Sequence, residues 1–423
     1  MKNIFFLLFL SVVISCSQQP KSIHQTESES KKNTPNVNLS GIQIGLDILL
    51  NEKIDLIKNK NIALVTNHSG VDSYGTPNYE RLMNEKDVHI KIIFSPEHGL
   101  FGEAAAGEKI NYNGTLKEFP KIVSLYGNTR KPTIDQLSGI DIIIYDIQDV
   151  GARFYTYIST LGLVMEVAAE MGIEILVLDR PNIINGVEIE GPILDISNQS
   201  FVGYYPIPIR YGLTVGELAT MIKGEKWING TPELTVIKMK NWKRNYWFDE
   251  INGKWIKPSP NIPNLETAIL YPGMCLLEAT NINEGRGTTK PFKRFGAPWL
   301  HNQKLAIELN NLNLPGVAFK PITFIPIDIK GMANNPKYEN QICNGVELII
   351  TNRNDFNSVN TGIKIISLIS RFHSEKFEIN ESNMNRLWGK KNFQKIINSN
   401  GEFTNNELIK TFQELSKKYH FYD

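Results

Sequence analysis

Glu97 and His98 stand side by side in "FSPEHGLFGE" (94–103), directly after the apolar run "IKIIF". A carboxyl and an imidazole bracketed by Pro96 and Gly99 are equipment for moving protons. Carboxyl groups half-buried on a stiff turn keep a proton closer to neutral pH and serve as acids, and a neighbouring histidine can orient or protonate a second group. A loop glutamate that only caps the next segment would carry the same letters.

A second cluster lies in "YDIQDVGARFYTYIST", which places Asp146, Gln148, Asp149, Arg153, Tyr155 and Tyr157 within residues 146–157. Asp146 and Asp149 are candidate catalytic partners for Glu97 and His98. Arg153 offers a planar fork for a carboxylate ligand, and the tyrosines suit stacking on sugar rings. "DRPN" adds Arg180 and Asn182, with Arg180 also able to pair with Asp179. "EATNINEGRGTTKPF" (278–292) puts Glu278, Asn281, Asn283, Glu284, Arg286 and Thr288 into a glycine-flexed loop, and "PSPNIPN" brings Ser259 and Asn261 within reach of a ligand. The candidate binding residues are therefore Gln148, Arg153, Tyr155, Arg180, Asn182, Asn261, Glu284, Arg286 and Thr288.

Carboxylates, amides, arginines and tyrosines in this mixture fit glycoside hydrolysis, in which one carboxyl protonates the leaving oxygen and a second group, or the substrate's own acetamido group, assists at the anomeric carbon. Other chemistries lack their signatures. No G-x-S-x-G elbow occurs, no G-x-G-x-x-G follows a strand, and no Walker A motif is present. The seven histidines are scattered and neither C-x-x-C nor H-E-x-x-H is found, so neither a metal nor another cofactor is expected.

These side chains must be carried by rigid elements. "NIALVTN" (61–67), "IKIIFSP" (90–96), "DIIIYDI" (141–147) and "EILVLDR" (174–180) are short, continuous and β-branched, as strands buried on both faces are. "YTYISTLGLVMEVAAEMG" between the last two has helical spacing with Gly172 as a stop, and "LTVGELATMIKG" has Thr214 as N-cap. The rhythm predicts an α/β fold: a Rossmann-like, mostly parallel sheet over 41–255, whose strand ends gather polar groups around one crevice. Beyond the prolines of "KPSPNIPN", strands in "GVAFKPITFIPI" and "NGVELIIT" and helices in "LHNQKLAIELNNL", "VNTGIKIISLISRF" and "NNELIKTFQELSKKY" predict a smaller α+β auxiliary domain over 256–423 that completes the cleft.

The 423 residues carry a formal net charge of +1, with 41% hydrophobic and 21% charged side chains. Such values support a large core and leave no electrostatic footprint for nucleic acid. "MKNIFFLLFLSVVISC" has Lys2, an apolar run too short for a comfortable span, and Cys16 after a small residue: the pattern of a lipoprotein signal over 1–16 with lipidation at Cys16. Residues 17–40 are poor in large apolar side chains and read as a flexible tether. The expected location is the cell envelope, periplasmic or outer-membrane associated, with the lipid as the membrane contact. Cys275 and Cys343 are expected as buried free thiols.

Taken together, "SPEHGLFGE", "YDIQDVGARFYTYIST", "DRPN", "GPIL", "SFVGYYPIPIRYGLTVGELA", "PSPNIPN" and "EGRGTTKPF" resemble the exo-β-N-acetylmuramidases of glycoside hydrolase family 171, in order over roughly 43–423. The resemblance implies a Rossmann-like domain with an auxiliary domain and a cleft between them. It also implies release of terminal N-acetylmuramic acid from the non-reducing ends of peptidoglycan-derived disaccharides or muropeptides, with Glu97 at the family's catalytic glutamate. Tyr211 and Ile183-Ile184 depart from the family pattern, histidine being frequent at the first position. The lactyl carboxylate of such a sugar needs a cation, for which Arg153, Arg180 and Arg286 are the candidates. A non-catalytic glycan-binding lipoprotein using the same cleft is the alternative.

Overall fold

Among the described residues, nine strands in two separate sheets organise the fold. In the computed structural model, which describes residues 41–105, 108, 119–127, 129–251, 253–404 and 406–423, six parallel strands form the larger sheet. They are β1 (Asn61–Thr66), β2 (His89–Ser95), β3 (Lys121–Ser124), β4 (Ile142–Asp146), β5 (Glu174–Leu178) and β6 (Leu234–Ile237), in the order β3-β2-β1-β4-β5-β6. The order reverses between β1 and β4, the doubly wound arrangement of a Rossmann fold. β7 (Arg294–Ala297), β8 (Val317–Phe324) and β9 (Cys343–Ile350) form a small antiparallel sheet in the order β7-β9-β8. Cys16 and the 17–40 segment lie outside the described residues.

The central strands are apolar on both faces because both faces are covered. Ala63, Val65, Ile143, Tyr145, Ile175 and Val177 pack into one core with the helices Tyr157–Met171 and Val215–Gly224, while Ile62, Leu64, Ile142, Ile144, Leu176 and Leu178 pack into another with the helix Gly45–Glu52. Gly172 ends the first helix in the left-handed conformation, where a residue without Cβ is unstrained. Thr214 caps the second by accepting from the Glu217 amide, and Glu217 reciprocates. Cys275 and Cys343 are free and buried.

Behind the small sheet the helices Leu265–Met274 and Ser358–Phe372 touch through glycines. A Cβ on Gly273 would fall 1.8 Å from the Ser358 carbonyl oxygen, so the backbones meet with no side chain between them. The Ser358 hydroxyl uses that proximity, accepting from the Gly273 amide at 2.8 Å and donating to the Leu270 carbonyl at 2.8 Å. Residues from 41 onward pack as one compact body.

Candidate active site

Glu97 follows β2 on a tight turn closed by the Gly99 amide, which donates to the Pro96 carbonyl at 3.1 Å. His98, third in the turn, takes φ 70°, and Gly99 takes φ 74°. Positive φ at a non-glycine residue is uncommon and persists where the surroundings hold it. Here the hold is visible: His98 Nδ1 lies 2.8 Å from the Ala104 carbonyl oxygen. A carbonyl only accepts, so Nδ1 carries the proton and Nε2 is left as an acceptor. Burial, helped by the nearby Arg286, pushes the His98 pKa down despite the opposing pull of Glu97 and the carbonyl, which favours the neutral ring. Gly102 is required one turn later, since a Cβ there would lie 2.4 Å from His68 Nδ1.

Glu97 is half-buried and lines a cavity of about 470 Å3. Thr156 donates its hydroxyl to Glu97 Oε2 at 2.8 Å. The Tyr126 hydroxyl lines the same cavity, and its pKa rises through burial and then the nearby Glu97 charge. Opposite are Glu278 and Arg286, whose Nε and Nη2 reach Glu278 Oε1 at 3.1 and 2.7 Å. Burial lowers the Arg286 pKa, but Glu278 and Glu284 outweigh it and the net shift is upward. Aromatic walls come from Phe154, Tyr155, Phe201, Tyr271 and Phe292. The lining is thus drawn from chain on both sides of residue 256, with two carboxyl groups, Glu97 and Glu278, in one sugar-sized space.

Five residues expected at one site share this cavity: Glu97, His98, Tyr155, Asn261 and Arg286. The others are elsewhere. Asp146 ends β4, separated from β2 by β1, so two strand spacings, about 10 Å, stand between their backbones. Its carboxylate is buried against Arg180, with Nε to Oδ1 at 2.6 Å and Nη2 to Oδ2 at 2.9 Å, and Asn78 donates to Oδ2 at 2.7 Å. Arg180 and Gln148 line a second cavity of about 340 Å3 at the point where the strand order reverses. Asn182 donates to the Leu213 carbonyl at 3.0 Å. Arg153 is fully buried and donates to the carbonyls of Pro192, Ile207 and Leu387. Glu284 is buried against Lys337 at 3.0 Å, and Thr288 donates to the Gly285 carbonyl at 2.7 Å, so both shape the 278–292 loop from within.

Asp149 is buried and accepts from the Gly151 amide and the Tyr211 hydroxyl. Tyr211 is thus a partner of this carboxyl. Burial lifts the Asp149 pKa to about 6, against the lowering effect of Tyr211 and two backbone amides. The folded value lies above the unfolded one, so the stabilising contribution is complete below about pH 4 and is lost as pH rises to about 6. Asp149→Asn removes that dependence. The variant should gain on the parent by about 2 kcal/mol between pH 4 and 7, read by urea unfolding at several pH values. A difference that stays flat with pH would show that Asp149 does not titrate in this window.

Residues that sequence reasoning left out of the site are Tyr126, Arg130, Thr156, Glu278 and Arg386. Thr156 and Glu278 lay inside the polar stretches already singled out. Tyr126 and Arg130 follow β3, a four-residue strand with little apolar signal. Arg386 comes from the helix Glu381–Trp388, far along the chain.

Comparison with known proteins agrees with this architecture. Two models of one family match in succession: "Exo-beta-N-acetylmuramidase NamZ, N-terminal" over residues 62–266 and "Exo-beta-N-acetylmuramidase NamZ, C-terminal" over 269–422. The peptidoglycan beta-N-acetylmuramidase NamZ of Bacillus subtilis (strain 168) is 40% identical over 414 residues, which is 97% of this chain and 95% of that protein. Two solved DUF1343 family proteins of Bacteroides fragilis superpose with TM-scores of 0.82 and 0.70, at 33% and 32% identity, over 90% and 91% of this chain and 99% of each of theirs. The chain belongs to the NamZ exo-β-N-acetylmuramidase family.

Proposed function

We propose that this chain hydrolyses the β-glycosidic bond of terminal N-acetylmuramic acid in peptidoglycan-derived disaccharides and muropeptides, acting from the non-reducing end. One observation carries the assignment of roles: Glu97, held by the Thr156 hydroxyl, shares one cavity with the Arg286-paired Glu278. In this reading Glu97 gives its proton to the linking oxygen as the C1–O bond breaks. Glu278 stabilises the positive charge that develops at C1. A water hydroxyl completes C1, and its other proton goes to a carboxylate of the pair. The aromatic walls pack on the sugar faces. The 41–255 portion and the 256–423 portion act as catalytic and auxiliary domains, since each contributes one of the two carboxyl groups.

The non-catalytic alternative is disfavoured by family membership. The test is product analysis on a defined N-acetylmuramyl-N-acetylglucosamine disaccharide. Free N-acetylmuramic acid is expected, with proton NMR reading the first anomer formed. An intact disaccharide after long incubation would favour the binder, and a freed peptide from a muropeptide would favour an amidase. Cys16 is read as a lipid attachment that holds the enzyme in the cell envelope. Mass spectrometry of the mature amino terminus should find diacylglycerol on that residue, and an unmodified terminus would remove the anchor.

A further inference from the structure

The substrate class proposed above differs from N-acetylglucosamine by a lactyl ether carrying a carboxylate, so discrimination needs a cation in the cavity. The three arginines expected for this role from the sequence are otherwise engaged. Arg153 is buried on carbonyls, Arg180 is held by Asp146 in the other cavity, and Arg286 is neutralised by Glu278 and Glu284. Two further arginines line the Glu97 cavity, Arg130 and Arg386, and both are exposed. Neither forms an ion pair with a described carboxylate. Arg130 lies over the Phe201 ring with 4.4 Å between its Cζ and the ring centroid. Stacking on a ring uses the guanidinium face and leaves its N–H edge available. Arg386 is steadied along its own helix by Asn383 Oδ1 at 2.8 Å from Nη2 and by the Ser382 carbonyl at 3.3 Å from Nε.

Among the described residues, the charges that face this space are Glu97, Glu278, Arg130, Arg286 and Arg386, with His98 beside them. Glu278 and Arg286 cancel, which leaves two cations against Glu97. Since Glu97 must be protonated to act, the cavity ready for reaction holds unbalanced positive charge at one end and the acid at another. We infer that Arg130 and Arg386 together bind the lactyl carboxylate and select muramic acid over glucosamine. The inference rests on the proposed activity.

The experiment uses the intact protein, Arg130→Gln, Arg386→Gln and the double variant, with a chromogenic β-N-acetylmuramic acid glycoside as substrate. N-acetylmuramic acid and its methyl ester serve as competing inhibitors, because the ester keeps the shape and loses the charge. The wild type should be inhibited better by the acid than by the ester, and each single variant should lose about 10- to 100-fold in kcat/KM, mostly through KM. The double variant should be inhibited equally by acid and ester. Both side chains are exposed, so circular dichroism should show unchanged folding. Variants that keep the wild-type preference for the acid would overturn the arginine assignment alone. A wild type that does not cleave the glycoside would overturn the proposed activity, and the assignment with it.

Discussion

Glu97→Gln should lower kcat on the unactivated disaccharide by at least about 10³-fold while leaving the affinity for N-acetylmuramic acid close to that of the parent, because general acid catalysis contributes on the order of 10²–10⁴ and more where the leaving group is poor. Glutamine keeps the acceptor oxygen that meets the Thr156 hydroxyl at 2.8 Å, so the turn and cavity should survive. The leaving group supplies the sharper reading. A dinitrophenyl glycoside departs without needing a proton, so the same variant should lose far less on it. A structural lesion would depress both substrates alike. Equal turnover of disaccharide by variant and parent would remove Glu97 from the mechanism and with it the meaning assigned to Glu278.

That this acid could be picked out from ten residues of sequence has a physical reason. The strands β1, β2, β4 and β5 are buried on both faces and so are written as unbroken β-branched runs, and whatever ends such a run sits at a sheet edge. The short strands β3 and β6 escaped notice because they are partly exposed and only four residues long. The helix Leu265–Met274 escaped because Pro272 lies inside it near its end. Strand order is the larger gap. Nothing in a linear chain says that β1 comes between β2 and β4, yet that one fact carries Asp146 and Arg180 to a different cavity from Glu97. The returning segment 150–156 then brings Tyr155 and Thr156 back to Glu97, which no spacing rule would have separated from Asp146.

Arginine was misjudged for a related reason: its fork matches backbone carbonyls as well as it matches a carboxylate ligand. Arg153→Ala should therefore behave as a folding variant. The guanidinium is wholly buried, and burial pulls its pKa down to about 9. Its Nη1 donates to Pro192 at 2.7 Å and Ile207 at 2.8 Å, and its Nη2 to Leu387 at 2.8 Å, near the carboxyl end of the helix Glu381–Trp388. A cation at that end also complements the helix dipole. Three carbonyls stranded without donors, at roughly 1–3 kcal/mol each and partly relieved by water, should cost about 4 kcal/mol of stability. Urea unfolding would read this loss, and Arg153→Lys, which can keep part of the set, should fall between. The helix that Arg153 pins is the one that presents Arg386 to the cavity, so the two arginines should give opposite signatures. Arg386→Gln should weaken binding without loss of stability. Arg153→Ala should lose stability first, with acid-over-ester discrimination kept in whatever fraction remains folded at low temperature. Full stability combined with a raised KM in Arg153→Ala would instead return that residue to the ligand.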